Sequence, residues 1–467
     1  MNENFQFGGG ADATFMSPAV LLLTILAAVA VLFFKKKYAF AAILVISFLT
    51  PFANQLYLGG VHFFAIRIVI LAGVIRLLMA KMKSSSSPLN DGFSPLEKIF
   101  FLWAFFRAIV FVLLYREGGA VVAQVGFLLD ACGGYLLFRH FLRDEKDVSD
   151  ALQSLAVVTS VLSACMLYEY LTQNNLFSHI NGVVIHPWIR DGRVRAQGVF
   201  ANSITAGTFG ATLVPLFFWL WKSGKARLFG AVGMASASIV AVTSMASTAV
   251  SAYVAGIVAL CLWPMRKRMR SIRWGIVVVI AALALAMKAP VWYLVARIDL
   301  VGGHGWDRAY LVDQFVRHFF DWWLVGSTSN ASWGSDTWDA CNQFVAEGLA
   351  GGVGTLLLFI VILKRGFAAV GECRKRVEGD GPREWLFWCL GAAFFAHIIA
   401  FIGIDYFDQT RTLWFIFLAI VSGAAAPLLA AKPVEESPVA ALPLTARPAP
   451  YSTLKGLSLK SSRQSRP

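Results

Sequence analysis

The feature that most constrains this chain is a run of apolar blocks, most of them about 20 residues long, repeated along most of its length. A helix crossing ~30 Å of hydrocarbon needs about 20 such residues, each rising 1.5 Å. The blocks lie near 17–34, 38–52, 61–80, 95–114, 120–138, 151–171, 201–221, 227–244, 246–263, 274–290, 341–363, 385–404 and 411–430. The stretch 227–263 is continuous in hydropathy and is divided at Thr243-Ser244-Met245-Ala246-Ser247-Thr248. Strands of a membrane barrel need only ~10 alternating residues. These blocks are longer and do not alternate, so they predict helices. Composition agrees, with 58% hydrophobic and 15% charged residues among 467, against roughly half and a quarter in a soluble domain. A compact soluble enzyme, a disordered chain and a disulfide-stapled secreted domain are excluded. The expected fold class is all-α, a polytopic membrane protein with about 12–13 transmembrane helices.

The net charge of +14 could suggest a nucleic-acid partner, but its placement argues against one. If the loop after the first block is cytoplasmic, alternate loops and the tail hold 30 of the 41 Lys and Arg residues, and the opposite face holds nine. That bias follows the positive-inside rule and suits anionic lipid, so no nucleic acid is needed. It places residues 1–16 outside, a helical domain over 17–430, and a Pro-, Ala- and Ser-rich tail over 431–467 in the cytoplasm, expected to be disordered. Without the first block as a span, 12 spans with both ends inside fit the same loops. The first 16 residues lack the basic region of a secretory signal. The six cysteines form no CxxC and the seven histidines no HxxxH, so neither a metal nor another cofactor is expected.

Two external loops are long, 172–200 and 291–340. Both mix arginine, carboxylate and tryptophan. The first carries Arg190, Arg193 and Arg195; the second carries Arg308, Arg317, Asp336, Asp339 and the pair Trp322-Trp323. Guanidinium forks suit phosphate oxygens, and aromatic faces suit sugar rings or the lipid interface. Arg67 and Arg107 lie within apolar blocks, about 10 Å from their outer ends at 1.5 Å per residue. A charge at that depth faces a partner or a wet cavity, or snorkels to the headgroups. Two at one depth suggest a shared anion site.

At these loops the chain resembles the O-antigen ligase and O-antigen polymerase superfamily, the membrane glycosyltransferases of bacterial surface polysaccharide assembly. The resemblance rests on Arg195-Ala196-Gln197-Gly198-Val199-Phe200-Ala201-Asn202 before a span, and on Arg308 near the start of a large loop with an aromatic stretch and Gly326. It rests also on Asp339-Ala340-Cys341-Asn342 leading into the Gly-rich block with Gly348, Gly351, Gly352 and Gly354. It covers about residues 17–430 and implies a GT-C-like architecture in the bacterial inner membrane, with the active site facing the periplasm or exterior. The family's ligases place a histidine directly before the asparagine, where this chain has Cys341. A thiol with a pKa near 8.5 is a poorer base than imidazole at pH 7. That departure favours a polymerase-like or inactive member over a ligase.

The resemblance implies transfer of a glycan from a polyprenyl-pyrophosphate carrier to a glycan or lipid acceptor, without metal or nucleotide sugar. Cations must then neutralise the departing pyrophosphate. Arg195 and Arg308 are the first candidates, followed by Arg193, Arg190 and Arg317, with Arg67, Arg107 and Asn342 also assigned to substrate. Asp339 and Asp336 are the candidate bases. Other readings stand beside these: Asn342 as a helix N-cap, Trp322-Trp323 as an interfacial anchor, the glycines as packing contacts, and His304 and His318 as loop residues away from the motif. At the level of function the alternatives are a ligase, a flippase of lipid-linked glycans, or a non-catalytic subunit beside chain-length or export partners.

Overall fold

The computed structural model describes residues 13–51, 53–83, 92–181, 184–190, 192–297 and 305–430. The tail from 431, the serine-rich linker at 84–88, residues 1–12 and His304 lie outside the described residues. The chain is a succession of helices: α1 (Pro18–Phe33), α2 (Lys36–Leu49), α3 (Ala65–Lys83), α4 (Pro95–Tyr115), α5 (Gly118–Leu128), α6 (Gly134–Phe141), α7 (Glu145–Thr172), α8 (Phe177–Asn181), α9 (Ser203–Lys222), α10 (Arg227–Thr243), α11 (Ser247–Cys261), α12 (Met269–Ala286), α13 (Gly305–Arg317), α14 (Phe319–Trp322), α15 (Gln343–Arg376), α16 (Gly381–Gly403) and α17 (Asp408–Ala430). Two antiparallel hairpins interrupt them, β1 (Gln55–Leu58) with β2 (Val61–Phe64) and β3 (Trp188–Arg190) with β4 (Arg193–Arg195).

Among the described residues, eight helical stretches are long and apolar enough to cross a membrane, so the protein is an all-α polytopic membrane protein. Every apolar block falls on a helix. The block at 61 opens with β2 before α3 begins at Ala65. Helix starts carry the expected chemistry: Ser94 and Glu97 form a capping box on α4, and Asp144 and Asn202 cap α7 and α9.

Helix α9 is the centre, with 89% of its apolar window buried, and α10 and α11 pack against it. Lipid tails are as apolar as leucine, so helix association depends on close packing rather than on escape from water. Small residues supply it: a side-chain carbon on Gly207 would strike Ser244, and one on Gly210 would strike the Ala237 carbonyl. At the other extreme, no residue of α12 is buried. The ends rich in lysine and arginine are tied by ion pairs: Lys36 to Asp147 at 2.7 Å, Arg139 to Glu97 at 3.1 Å, and both Arg266 and Arg374 to Glu384.

Helix α15 departs from the expected span over 341–363. It extends to Arg376 and loses helical geometry at Gly351 (φ −170°, ψ 26°) and Gly352 (φ 69°, ψ −169°). These glycines break the helix rather than only letting it pack. Backbone freed within a membrane bundle must find protein partners. Here the Val353 N–H donates to the Trp323 carbonyl at 2.8 Å, and the Ser327 N–H donates to the Leu349 carbonyl at 3.0 Å. The segment 323–327 therefore plugs the break. Gly326 (φ 98°) allows the approach, because a side-chain carbon there would collide with the Leu349 carbonyl. A small core of Leu311, Phe315, Trp322, Trp333 and Val345 holds the segment between α12 and α15 on the first half of α15.

Gly326→Ala should therefore destabilise the protein by about 1–3 kcal/mol, read as a lower thermal midpoint of the purified protein. Gly371→Ala, in a helical position with open space around it, is the control and should be neutral or mildly stabilising. Equal midpoints for the two variants would contradict the plug.

Candidate functional site

A cavity of about 360 Å³ opens where three separate segments meet. The β3–β4 hairpin and the start of α9 bring Arg190, Arg195 and Ile204; the α10–α11 turn brings Met245 and Ser247. The segment between α12 and α15 brings Asp307, Arg308, Asp336, Trp338, Asp339 and Cys341. Arg195 and Arg308 thus share one hollow, together with both candidate carboxylates.

The arginine wall is braced from behind. The hairpin pairs Trp188 with Arg195 and Arg190 with Arg193. Alternation along a strand then puts these four on one face, with Ile189 and Val194 on the other. After Arg195 the backbone turns, and the turn is fixed at four points. The Ala196 N–H donates to the Thr243 carbonyl at 3.1 Å. The Glu169 carboxylate accepts from the Gln197 and Gly198 N–H groups at 3.3 and 2.8 Å, and Asn175 Nδ2 donates to the Gly198 carbonyl at 2.7 Å. Gly198 (φ 59°) packs on Leu162 and Met166, where no side chain fits. Arg195 emerges half-buried, with its Nε buried and without a hydrogen-bond partner. Burial first, and then the charges of Arg190 and Arg308, lower its proton affinity, so the three guanidiniums act on one another.

The opposite wall is acidic and aromatic. Arg308 sits in the first turn of α13 beside Asp307, and Trp338 is 70% exposed at the rim. Asp336 (φ 55°) and Met245 (φ 46°) both hold left-handed backbone and both line the cavity. Such strain persists only where the surroundings over-determine it, and it gathers at functional sites. The Cys341 thiol donates to Asp339 Oδ2 at 2.9 Å. Burial, then the Asp339 charge, push the thiol pKa well up, so Cys341 is a neutral donor rather than a nucleophile.

The other expected site residues lie elsewhere. Arg193 is exposed at the hairpin tip and does not line the cavity. Arg317 is held by Asp313 at 2.7 Å on the exposed side of α13. Asn342 is the N-cap of α15: its Oδ1 accepts from Phe344 and Val345 N–H, and its Nδ2 donates to the Ile402 carbonyl. Arg67 and Arg107 do not line the cavity, and each has a carboxylate of its own. Arg67 grips Asp130 with Nε and Nη2 and the His62 carbonyl with Nη1. Arg107 lies 3.8 Å from Glu347 and over the Phe127 ring. His318 pairs with Asp321 and stacks on Trp333. Trp322 is buried, donating to the Phe315 carbonyl, while Trp323 is exposed and its carbonyl serves the plug.

Sequence reasoning missed Glu169, Asp130, Glu347 and Asp405. A carboxylate inside or at the end of an apolar block was the available signal for the first three, and the expensive residue sought there was arginine alone.

If the Arg67–Asp130 pair is structural, Asp130→Ala should cost about 3 kcal/mol by leaving Arg67 unpaired, while the double variant Arg67→Met/Asp130→Leu should recover most of the thermal midpoint. A double variant as unstable as the single one would sink that assignment.

A comparison with protein-family models finds no match, and a search of curated proteins finds none either.

Proposed function

We propose that this protein is a polymerase-like membrane glycosyltransferase. It transfers glycan units from a polyprenyl-pyrophosphate carrier to a glycan or lipid acceptor at the outer leaflet of a bacterial inner membrane, during assembly of O-antigen, capsule or exopolysaccharide. The observation that carries the reading is the meeting of Arg195 and Arg308, far apart in sequence, across one cavity with Asp339.

The chemistry follows from the two walls. The anomeric carbon loses its bond to pyrophosphate, whose oxygens take up the electron pair. Arg195 and Arg308, with Arg190, receive that charge. The acceptor hydroxyl attacks the same carbon, and Asp339 takes its proton, with Asp336 beside it. Trp338 offers an aromatic face to a sugar ring. The helices supply the remaining requirement, since a lipid-anchored substrate presents its head at the membrane surface. On the positive-inside bias this cavity would lie at the external end, and α9, about 30 Å long, runs from it to the ion-paired basic end.

Arg195→Ala and Arg308→Ala, each at normal membrane abundance, should cut polymer formation about a hundredfold, the equivalent of ~3 kcal/mol in the transition state. Lipid-linked single units should accumulate on the outer face. Arg195→Lys should recover little, because an ammonium group lacks the fork. Normal polymer from both alanine variants would reject the assignment. The break in α15 favours a second reading, since transporters build their sites from discontinuous helices. Accumulation on the cytoplasmic leaflet would select that flippase reading, and loss of attachment with polymer length intact would select a ligase.

A further inference from the structure

We propose that Asp405 and Cys341 are positioning residues for Asp339: Asp405 stands behind it, and the Cys341 thiol occupies Oδ2, leaving Oδ1 to take the proton. The inference rests on the transferase reading above and adds to it the groups that select the base.

The geometry comes from two chain segments sewn together. Residues 339–343 lead into α15, and residues 402–406 link α16 to α17. Asn342 Nδ2 donates to the Ile402 carbonyl at 3.0 Å, and the Tyr406 N–H donates to Gln343 Oε1 at 2.6 Å. Thr248 Oγ1 donates to the Gly403 carbonyl at 3.3 Å, and the Tyr406 hydroxyl meets His397 Nδ1 at 2.7 Å. These bonds fix Asp405 within the field of Asp339 and of the thiol. From the cavity side the same corner faces Arg308, and from α17 it faces Arg411 and Asp408. Burial first, and then the Asp339 charge, raise Asp405 to about 7, with Arg411 opposing. Two carboxylates at one corner cannot both ionise cheaply, and the more buried one keeps its proton. Asp339 is the member of the pair that lines the cavity. It already accepts one hydrogen bond at Oδ2, from the thiol.

The proton balance closes without any other group. The acceptor O–H proton passes to Asp339 Oδ1 as the new C–O bond forms, while the pyrophosphate leaves with the old bonding pair. Asp339 returns the proton to solvent before the next turn. Should Asp405 ionise, its charge would set a second anion beside the anionic donor. Transfer should therefore fall as pH rises through about 7.

The test uses the full-length protein in lipid vesicles, with lipid-linked repeat units extracted from a polysaccharide-producing host that lacks its own polymerase. The wild type should lose rate above pH about 7. Asp405→Asn, permanently neutral, should keep its rate within about twofold at pH 6.5 and lack the alkaline decline. Cys341→Ser should behave like the wild type, and Cys341→Ala should lower kcat with KM unchanged. An Asp405→Asn profile identical to the wild type would overturn the proposal. Infrared titration gives a readout free of activity. A protonated-carboxyl band should vanish near pH 7 in the wild type and be missing from Asp405→Asn. Absence of that band from the wild type overturns the carboxyl pair whatever the activity. The band without any transfer overturns the enzymatic reading and leaves the pair standing.

Discussion

A bilayer interior offers no water to an unpaired backbone N–H or C=O, and that prohibition shapes this protein more than any side-chain contact. It converts apolar blocks into helices and restricts irregular backbone to places where protein groups take the part of water. The two clearest exceptions are therefore informative. One is the turn after Arg195, whose N–H groups end on Glu169. The other is the break in α15, closed by the carbonyl of Trp323 and the N–H of Ser327. The first bears directly on the cavity, and the second holds the segment that forms its other wall. Departure from regular helix and assembly of the candidate site are one arrangement.

The charges sort by the same logic. Arginines within the apolar blocks have carboxylates within reach: Arg67 and Asp130, Arg107 and Glu347. Those at the cavity come close enough across it for their charges to oppose each other, and Arg195 retains a buried Nε–H without an acceptor. A polar group in that state costs free energy unless something meets it. A ligand rich in phosphate oxygens would meet that need, and this is why the arginine wall supports the proposed function better than the number of arginines does.

Much of this was legible from the residues. Periodic apolar length gave the helices and even the division at Thr243–Thr248, because the hydrocarbon thickness leaves a direct imprint on sequence. Arg195, Arg308 and Asp339 came together in the sequence only through the resemblance, and all three line the cavity. What stayed hidden was pairing across distance. The depth of Arg67 can be counted, but Asp130 as its partner depends on how α3 meets the turn at Leu129–Gly133. Gly351-Gly352 reads as packing glycine in an apolar run, since nothing local says that residues 323–327 will arrive to receive the freed backbone. Asp405 sits in a short connection that reads as an ordinary turn until Asp339 is placed beside it.

Helix α12 has one further consequence. None of its residues is buried, so packing along its length does not set its inclination. The continuous helical stretch Trp263–Ala286 is 24 residues long, about 36 Å, against ~30 Å of hydrocarbon. A span longer than its bilayer tilts. Its far end leads into the turn at Val291–Arg297, which packs on α13, the helix that carries Arg308. Lipid composition, by setting that tilt, thereby becomes a mechanical input to one half of the cavity.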